Sequence, residues 1–381
     1  MSKKIIINGI TLEGANITPL LLKVRKWQSF GYEVTFFGID ELKIQIDNLG
    51  ILENYRFIAL NHGKKWATKP RFVYECFKRN FFAALRARQL SKEFDVVYTI
   101  SPVLDLVLLP YLLKKINKKI KWLSVFDNSV PLMIDGKFVA GNRFIRVLAW
   151  VFYEISLFFI KSADSIFVIK PELKIYLQKK GFDPGKLILT GNGVERDLID
   201  QAIVSDEYRI DALFIGRINE AKGIYGMLRV LEKVKEKYPD FQLAIMGRGD
   251  DRTEALFKTK IQRMHLKNNV QFLGYRSGQE KFNIIKSSKI FLFLSETESV
   301  PIAPLEAVCS GLKTLVYDLD AYNMYKNDEV IIFKKNDYDS VANKVIEIFD
   351  KKDFANEKGK LLLAAYDWEK IAAIELDCLA A

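Results

Sequence analysis

Four residues of this chain have types and spacings that suit chemistry: Arg217 with Lys222, and Glu298 with Glu306. Arg and Lys both hold phosphate oxygens, Arg in a bidentate fork. Carboxylates accept hydrogen bonds from vicinal hydroxyls. A group of this kind suits a ligand that carries both a diphosphate and sugar hydroxyls. The cations stand in Gly216-Arg217-Ile218-Asn219-Glu220-Ala221-Lys222-Gly223, after the apolar run Ala212–Ile215 and before a helix-period segment. The carboxylates stand in the stretch from Ser295 to Ala307, after the apolar run Ile290–Leu294. Pro301 and Pro304 there suit a first helical turn, where a missing N–H costs little. Such a turn would offer free amides and a positive dipole end to phosphate, so Val300, Pro301 and Ile302 join the candidates. Glu298 falls in the loop and Glu306 in the helix, so one carboxylate could reach a sugar and the other a ribose. Two cations on a turn, or a capping Glu pair, are also what ordinary surface loops carry, and Glu296 reads that way.

Two glycine-rich turns accompany these residues. Met246-Gly247-Arg248-Gly249 follows the run Leu243–Met246, and its glycines permit close backbone approach. Arg252 stands where a third glycine would complete GxGxxG, and no GK[ST] lies nearby, which disfavours ordinary dinucleotide and Walker sites. An epimerase-type enzyme also lacks a Tyr-x3-Lys base in a suitable setting. Thr190-Gly191-Asn192-Gly193-Val194 reads as a hinge or a plain loop. The pair Asp318 and Asp320 invites a metal reading, but it follows a late strand, while Arg217 and Lys222 already cover a diphosphate. Two histidines and three scattered cysteines, without CxxC, suggest no metal centre or disulfide framework. No metal and no cofactor are expected.

The elements that must position these residues come in two sets. Lys4–Asn8, Glu33–Phe37, Arg56–Leu60, Asp95–Ile100, Lys121–Phe126 and Ser165–Ile169 read as strands, with helix-period segments such as Thr18–Phe30 and Leu104–Ile116 between them. The pattern restarts with Ala212–Ile215, Leu243–Met246, Val270–Phe272, Ile290–Leu294, Thr314–Tyr317 and Val330–Phe333, with helices at Ile224–Lys237 and Asp251–Met264. Strand–helix alternation implies parallel sheets, hence an α/β chain of two doubly wound, Rossmann-like domains. The expected boundaries are 1–190 and 191–366, with a terminal helix over 367–381. Ligands of such sheets sit at the carboxyl ends of the strands, and the cleft between two domains is the natural site.

The order Gly-Arg-x4-Lys-Gly, Gly-x-Gly, Phe272-Leu273-Gly274-Tyr275, then Glu-x7-Glu strongly resembles retaining glycosyltransferases of family four, which have the GT-B fold. Gly191-Asn192-Gly193-Val194-Glu195 resembles that family's Asn-Gly-Val-Asp turn. Asp367-Trp368-Glu369 resembles the start of its terminal helix, which crosses back to the first domain. The resemblance covers essentially the whole chain. It implies that Arg217 and Lys222 hold the diphosphate of a nucleotide-sugar donor, that Glu306 binds ribose hydroxyls, and that Glu298 contacts the transferred sugar. Gly216, Gly247 and the loop from Gly9 to Gly14 would line the donor site, and no metal would be needed. Many relatives carry a His after the strand corresponding to Lys121–Val125. Here Asp127 and Asn128 stand on that ground, and His62 follows another strand. A non-catalytic, membrane-associated relative of the fold is the alternative.

Charge is uneven. Residues 1–190 hold 30 Lys and Arg against 16 Asp and Glu, a net +14, within a chain of net +11. A basic first half points to an anionic partner. Lys64 to Arg88 mixes cations with aromatics as interfacial helices do, and suggests an anionic membrane surface. Phe138 to Lys161 is aromatic too, and is read here as core. No nucleic-acid-binding module is recognisable. No signal peptide and no membrane-spanning run is read, since Arg146 and Glu154 interrupt the greasiest segment. The expected setting is cytoplasmic, peripheral at the inner membrane face, with a glycan or lipid-linked acceptor.

Overall fold

A computed structural model describes residues 3–10, 17–60, 71–127, 143–298, 300–323 and 330–380. The chain forms two compact units, Met1–Gly191 with Trp368–Ala381, and Asn192–Asp367.

The first unit alternates β1 (Lys4–Asn8), α1 (Thr18–Ser29), β2 (Glu33–Gly38), α2 (Asp40–Leu49), β3 (Arg56–Ala59), α3 (Arg71–Glu93), β4 (Val96–Thr99), α4 (Leu104–Ile116), β5 (Lys121–Phe126), α5 (Arg143–Ile160), β6 (Ser165–Val168), α6 (Pro171–Lys179) and β7 (Leu187–Leu189). All seven strands pair in parallel, in the order β3-β2-β1-β4-β5-β6-β7. The central strands are buried on both faces, which is why they read as mainly apolar runs without a strict alternation. The sequence reading did not include β7, whose three residues after a Pro-Gly turn are too short to show a period.

The second unit carries α7 (Arg196–Asp200), β8 (Ile210–Ile215), α8 (Ile224–Lys237), β9 (Leu243–Met246), α9 (Asp251–Arg263), β10 (Val270–Gly274), α10 (Gly278–Lys286), β11 (Ser288–Phe293), α11 (Ile302–Cys309), β12 (Lys313–Tyr317), β13 (Val330–Phe333), α12 (Tyr338–Lys351) and α13 (Glu357–Leu361). Its parallel sheet runs β10-β9-β8-β11-β12-β13. Strands β8 and β11 begin two residues earlier than their apolar runs, because Asp211 in one and Ser288 and Lys289 in the other are polar. Asp211 in β8 is buried because its carboxylate accepts from Lys289 Nζ of β11 at 2.7 Å and from the Gln242 amide at 2.9 Å. A satisfied polar residue can extend a strand while hiding it from a hydrophobicity pattern.

The terminal helix α14 (Trp368–Ala380) packs in the first unit beside α1. Lys23 Nζ donates to Glu375 Oε1 at 2.8 Å and to the Tyr98 hydroxyl at 2.6 Å, and that hydroxyl donates to Glu375 Oε2 at 2.9 Å. All three are buried. Burial pushes the Glu375 carboxyl up, and the Lys23 ammonium opposes the shift. This closed triad fixes α14 in one position, because a partner removed would leave a buried charge unpaired.

Candidate active site

In the second unit the candidate residues gather at the carboxyl ends of β8, β9 and β11. The turn after β8 is fixed by its own chemistry. The Asn219 side chain caps the following 3-10 turn by accepting from the Lys222 amide at 3.0 Å, and Gly223 takes the left-handed conformation at φ +73°. A Cβ at Gly223 would lie 1.8 Å from the Leu294 carbonyl oxygen. The turn therefore presses on the end of β11, and only glycine permits it. Gly247 at φ +147° is constrained alike, with a Cβ falling 1.9 Å from the Gly216 carbonyl oxygen. Backbone bonds from Gly216 N to Met246 O (3.0 Å) and from Gly247 N to Gly274 O (2.8 Å) complete the floor.

Arg217 projects from this floor exposed, with no ion pair among the described residues. Lys222 is mostly buried, and its ammonium donates to Glu298 Oε1. It also lies 5.6 Å from the Phe293 ring centroid. The cation from the β8 turn and the first carboxylate of the Glu-x7-Glu pair are thus brought together. The loop that carries Glu298 is pinned to the same turn: Ser295 Oγ and the Glu296 amide both donate to the Ala221 carbonyl, at 3.1 and 2.9 Å. Glu296 pairs at the surface with Lys335 at 2.9 Å.

Pro301 is the residue before helix α11 and Pro304 lies in its first turn, so the lost amides are ones the helix would leave unpaired. Val300 O accepts from Asn192 Nδ2 at 3.2 Å, leaving Pro301 and Ile302 at the helix start. Glu306, one turn in, is buried, and its Oε1 accepts from Lys281 Nζ of α10 at 2.7 Å. Sequence reasoning missed Lys281. Nothing in its own stretch marks it; only the packing of α10 brings it to Glu306. Cys309 lies one turn further on, where burial and the Glu306 charge push its thiol up to about 12. It is a neutral packing group, not a nucleophile.

In the first unit, Asp127 follows β5 and accepts from Ser101 Oγ at 3.0 Å. Gly9, after β1, donates its amide to Phe37 O at 2.8 Å. Gly14, His62 and Asn128 lie outside the described residues. Asp318 donates its amide to Phe333 O, and Asp320 opens a 3-10 turn. Among the described residues, no group of three or more His, Cys, Asp or Glu is placed to hold a metal ion.

Residues 195–360 match the family model described as Glycosyl transferases group 1. They form a group 1 glycosyltransferase domain. This domain holds Arg217, Lys222, Lys281, Glu298 and Glu306. The chain is 35% identical over 104 residues to an uncharacterized glycosyltransferase of Methanocaldococcus jannaschii, covering 27% of this chain and 25% of the relative. It is 27% identical over 196 residues to the phosphatidyl-myo-inositol mannosyltransferase of Mycobacterium tuberculosis, covering 48% of this chain and 50% of that protein. The matched stretches thus span a quarter to a half of these two relatives. Over whole chains, the structure resembles Anabaena HepE, solved in complex with UDP and glucose, with a TM-score of 0.75, 11% identity and full coverage of both chains. The fold is GT-B, with two Rossmann-like doubly wound domains.

Proposed function

We propose that this chain is a retaining glycosyltransferase. It moves a sugar from a nucleoside-diphosphate sugar to a glycan or lipid-linked acceptor in cell-envelope or polysaccharide synthesis, without a metal. The observation that carries this reading is the Lys222–Glu298 ion pair on the glycine floor of the group 1 domain, with Arg217 exposed beside it in sequence. The resemblance to a UDP complex and to an enzyme named for a lipid acceptor supports the same reading.

The costly event is breaking the anomeric C–O bond while negative charge grows on the β-phosphate. Lys222 and Arg217 meet that charge with cations, and the first amides of α11 add a dipole. The cations take over the neutralisation that a metal would otherwise supply. When the diphosphate engages Lys222, it displaces Glu298, which then turns to the sugar hydroxyls. Glu306, held on one oxygen by Lys281, keeps its other oxygen for the ribose. Retention follows when the acceptor hydroxyl attacks from the face the diphosphate leaves, its proton departing on a phosphate oxygen. Asp127, Asn128 and His62 are the proposed acceptor-side groups, and Gly14 the proposed phosphate-loop residue. The acceptor side works at an anionic membrane surface, peripherally and on the cytoplasmic face.

The test is product stereochemistry. Proton NMR of the sugar product should show the anomeric configuration of the donor, with turnover unchanged by EDTA. Inverted product, or turnover that EDTA abolishes and divalent metal restores, would overturn the mechanism. A non-catalytic relative would show neither product nor nucleotide release.

A further inference from the structure

Helices α3 and α5 each bury one apolar face and expose another. On α3, Tyr74, Phe77, Phe81 and Leu85 are exposed, with Phe77 and Phe81 at 64% and 62%. They recur at three and four residues and so form one stripe along the helix. On α5, Tyr153, Leu157 and Ile160 are buried, while Val147, Val151, Ile155 and Phe158 form an outward stripe, with Phe158 at 67%. The core assignment of this second segment is therefore only half right. The stripes neighbour each other, because the Phe77 and Phe152 rings meet edge to face at 6.4 Å. Helix α4 packs against both α3 and α5 and keeps Leu106, Val107, Leu109 and Leu113 buried, so it supplies the support beneath.

We propose that the outward faces of α3 and α5 form one surface that docks on an anionic lipid bilayer. This rests on the membrane reading above and names the surface that performs it. Scattered exposed apolar residues are ordinary, but two adjacent stripes of aromatic and branched side chains are not. Charge selects the occupant. At about 100° per residue, Lys78 and Arg88 fall within roughly 60° of the α3 stripe's centre. The α3 carboxylates are withdrawn: Glu75 is buried, and Glu93 pairs with Arg56 at the helix end. Glu154, at the edge of the α5 stripe, is neutralised by Lys180 at 2.7 Å. Cations beside an aromatic stripe fit an anionic headgroup layer over an acyl boundary. A second copy of the chain would instead set two strongly basic halves against each other.

The test is vesicle flotation with the full chain. Phosphatidylcholine vesicles are compared with vesicles that also contain phosphatidylglycerol. Wild type should bind the anionic vesicles. The double substitution Phe81→Ser with Phe158→Ser should weaken binding by about tenfold or more, with thermal stability unchanged because both residues are exposed. Lys78→Glu with Arg88→Glu should also weaken it and flatten its dependence on salt. No wild-type binding, or binding that neither pair weakens, would overturn the proposal. So would a concentration-dependent dimer that the Phe pair dissolves, which would assign the face to a second copy. Nucleoside diphosphate binding measured on the same samples separates the two readings: lost vesicle binding with nucleotide binding intact removes this surface only, and the reverse removes the transfer reading only.

Discussion

The two units share a parallel doubly wound sheet, yet they use their charges in different places. In the group 1 domain, Lys222, Glu298, Lys281 and Glu306 form two ion pairs at or near the strand ends, over a floor that only glycine permits. In the first unit the best-buried charges join helices to one another. Arg79 of α3 donates to Asp105 of α4 at 2.8 Å, with Asn80 and Cys76 on the same carboxylate, and Lys23 meets Glu375 under α14. The Lys222–Glu298 pair joins two turns that follow strands; the first unit's pairs fasten helices together. The same architecture thus carries the proposed donor site in one unit and, in the other, helices with an exposed apolar face.

The largest effect that could break this contrast is on turnover. Lys222→Ala should lower kcat by about 10²–10³-fold, as removal of one preorganised charge stabiliser commonly does. Glu298 is left without its ammonium, so stability should also fall, but only by about 1–2 kcal/mol, less than the loss of rate. A fall in stability of similar weight to the loss of rate would instead class Lys222 with the helix-fastening charges.

Backbone stability gives the next test. Gly223→Ala places a Cβ against the Leu294 carbonyl in a left-handed turn and should cost about 3 kcal/mol or more. Gly31→Ala in the first unit, at φ +83° with open space around it, should cost only about 1–2 kcal/mol. Chemical denaturation of both variants checks the difference, and equal costs would show that the floor is not specially constrained.

Lys281→Ala leaves the buried Glu306 carboxylate without its ammonium, and should destabilise the domain by about 1–3 kcal/mol. It should also weaken nucleotide binding, because Glu306 would no longer be held. Calorimetry reads both. The smallest effect sharpens the picture of Lys222. Glu298→Gln removes the carboxylate that competes for its ammonium, so a nucleoside diphosphate should bind a few-fold more tightly, by up to about 1 kcal/mol, even as turnover falls. Weaker binding would show that Glu298 supports the phosphate site instead of competing for it.

Much of this was legible in the sequence, for physical reasons. Strands buried on both faces read as mainly apolar runs, so β1, β5 and β9 have the bounds the pattern indicates, as do helices α4 and α8. The places of these loops were legible because glycine and proline mark where strands end and helices begin. Three features were not. Asp211 hides the start of β8 by being polar and satisfied. Lys281 reaches Glu306 only through tertiary packing, to which local spacing is blind. Helix α5 is apolar on both faces, so its pattern could not say that one of them is exposed.

The most direct measurement is nucleotide release from a panel of UDP-, GDP- and ADP-sugars, without added metal and with anionic vesicles, for wild type, Lys222→Ala and Glu306→Ala. The account predicts release from one donor class by wild type, abolished or nearly so in both variants, whose folding remains intact. Release that survives both substitutions, or no release and no nucleotide-dependent thermal shift with any donor, would contradict it.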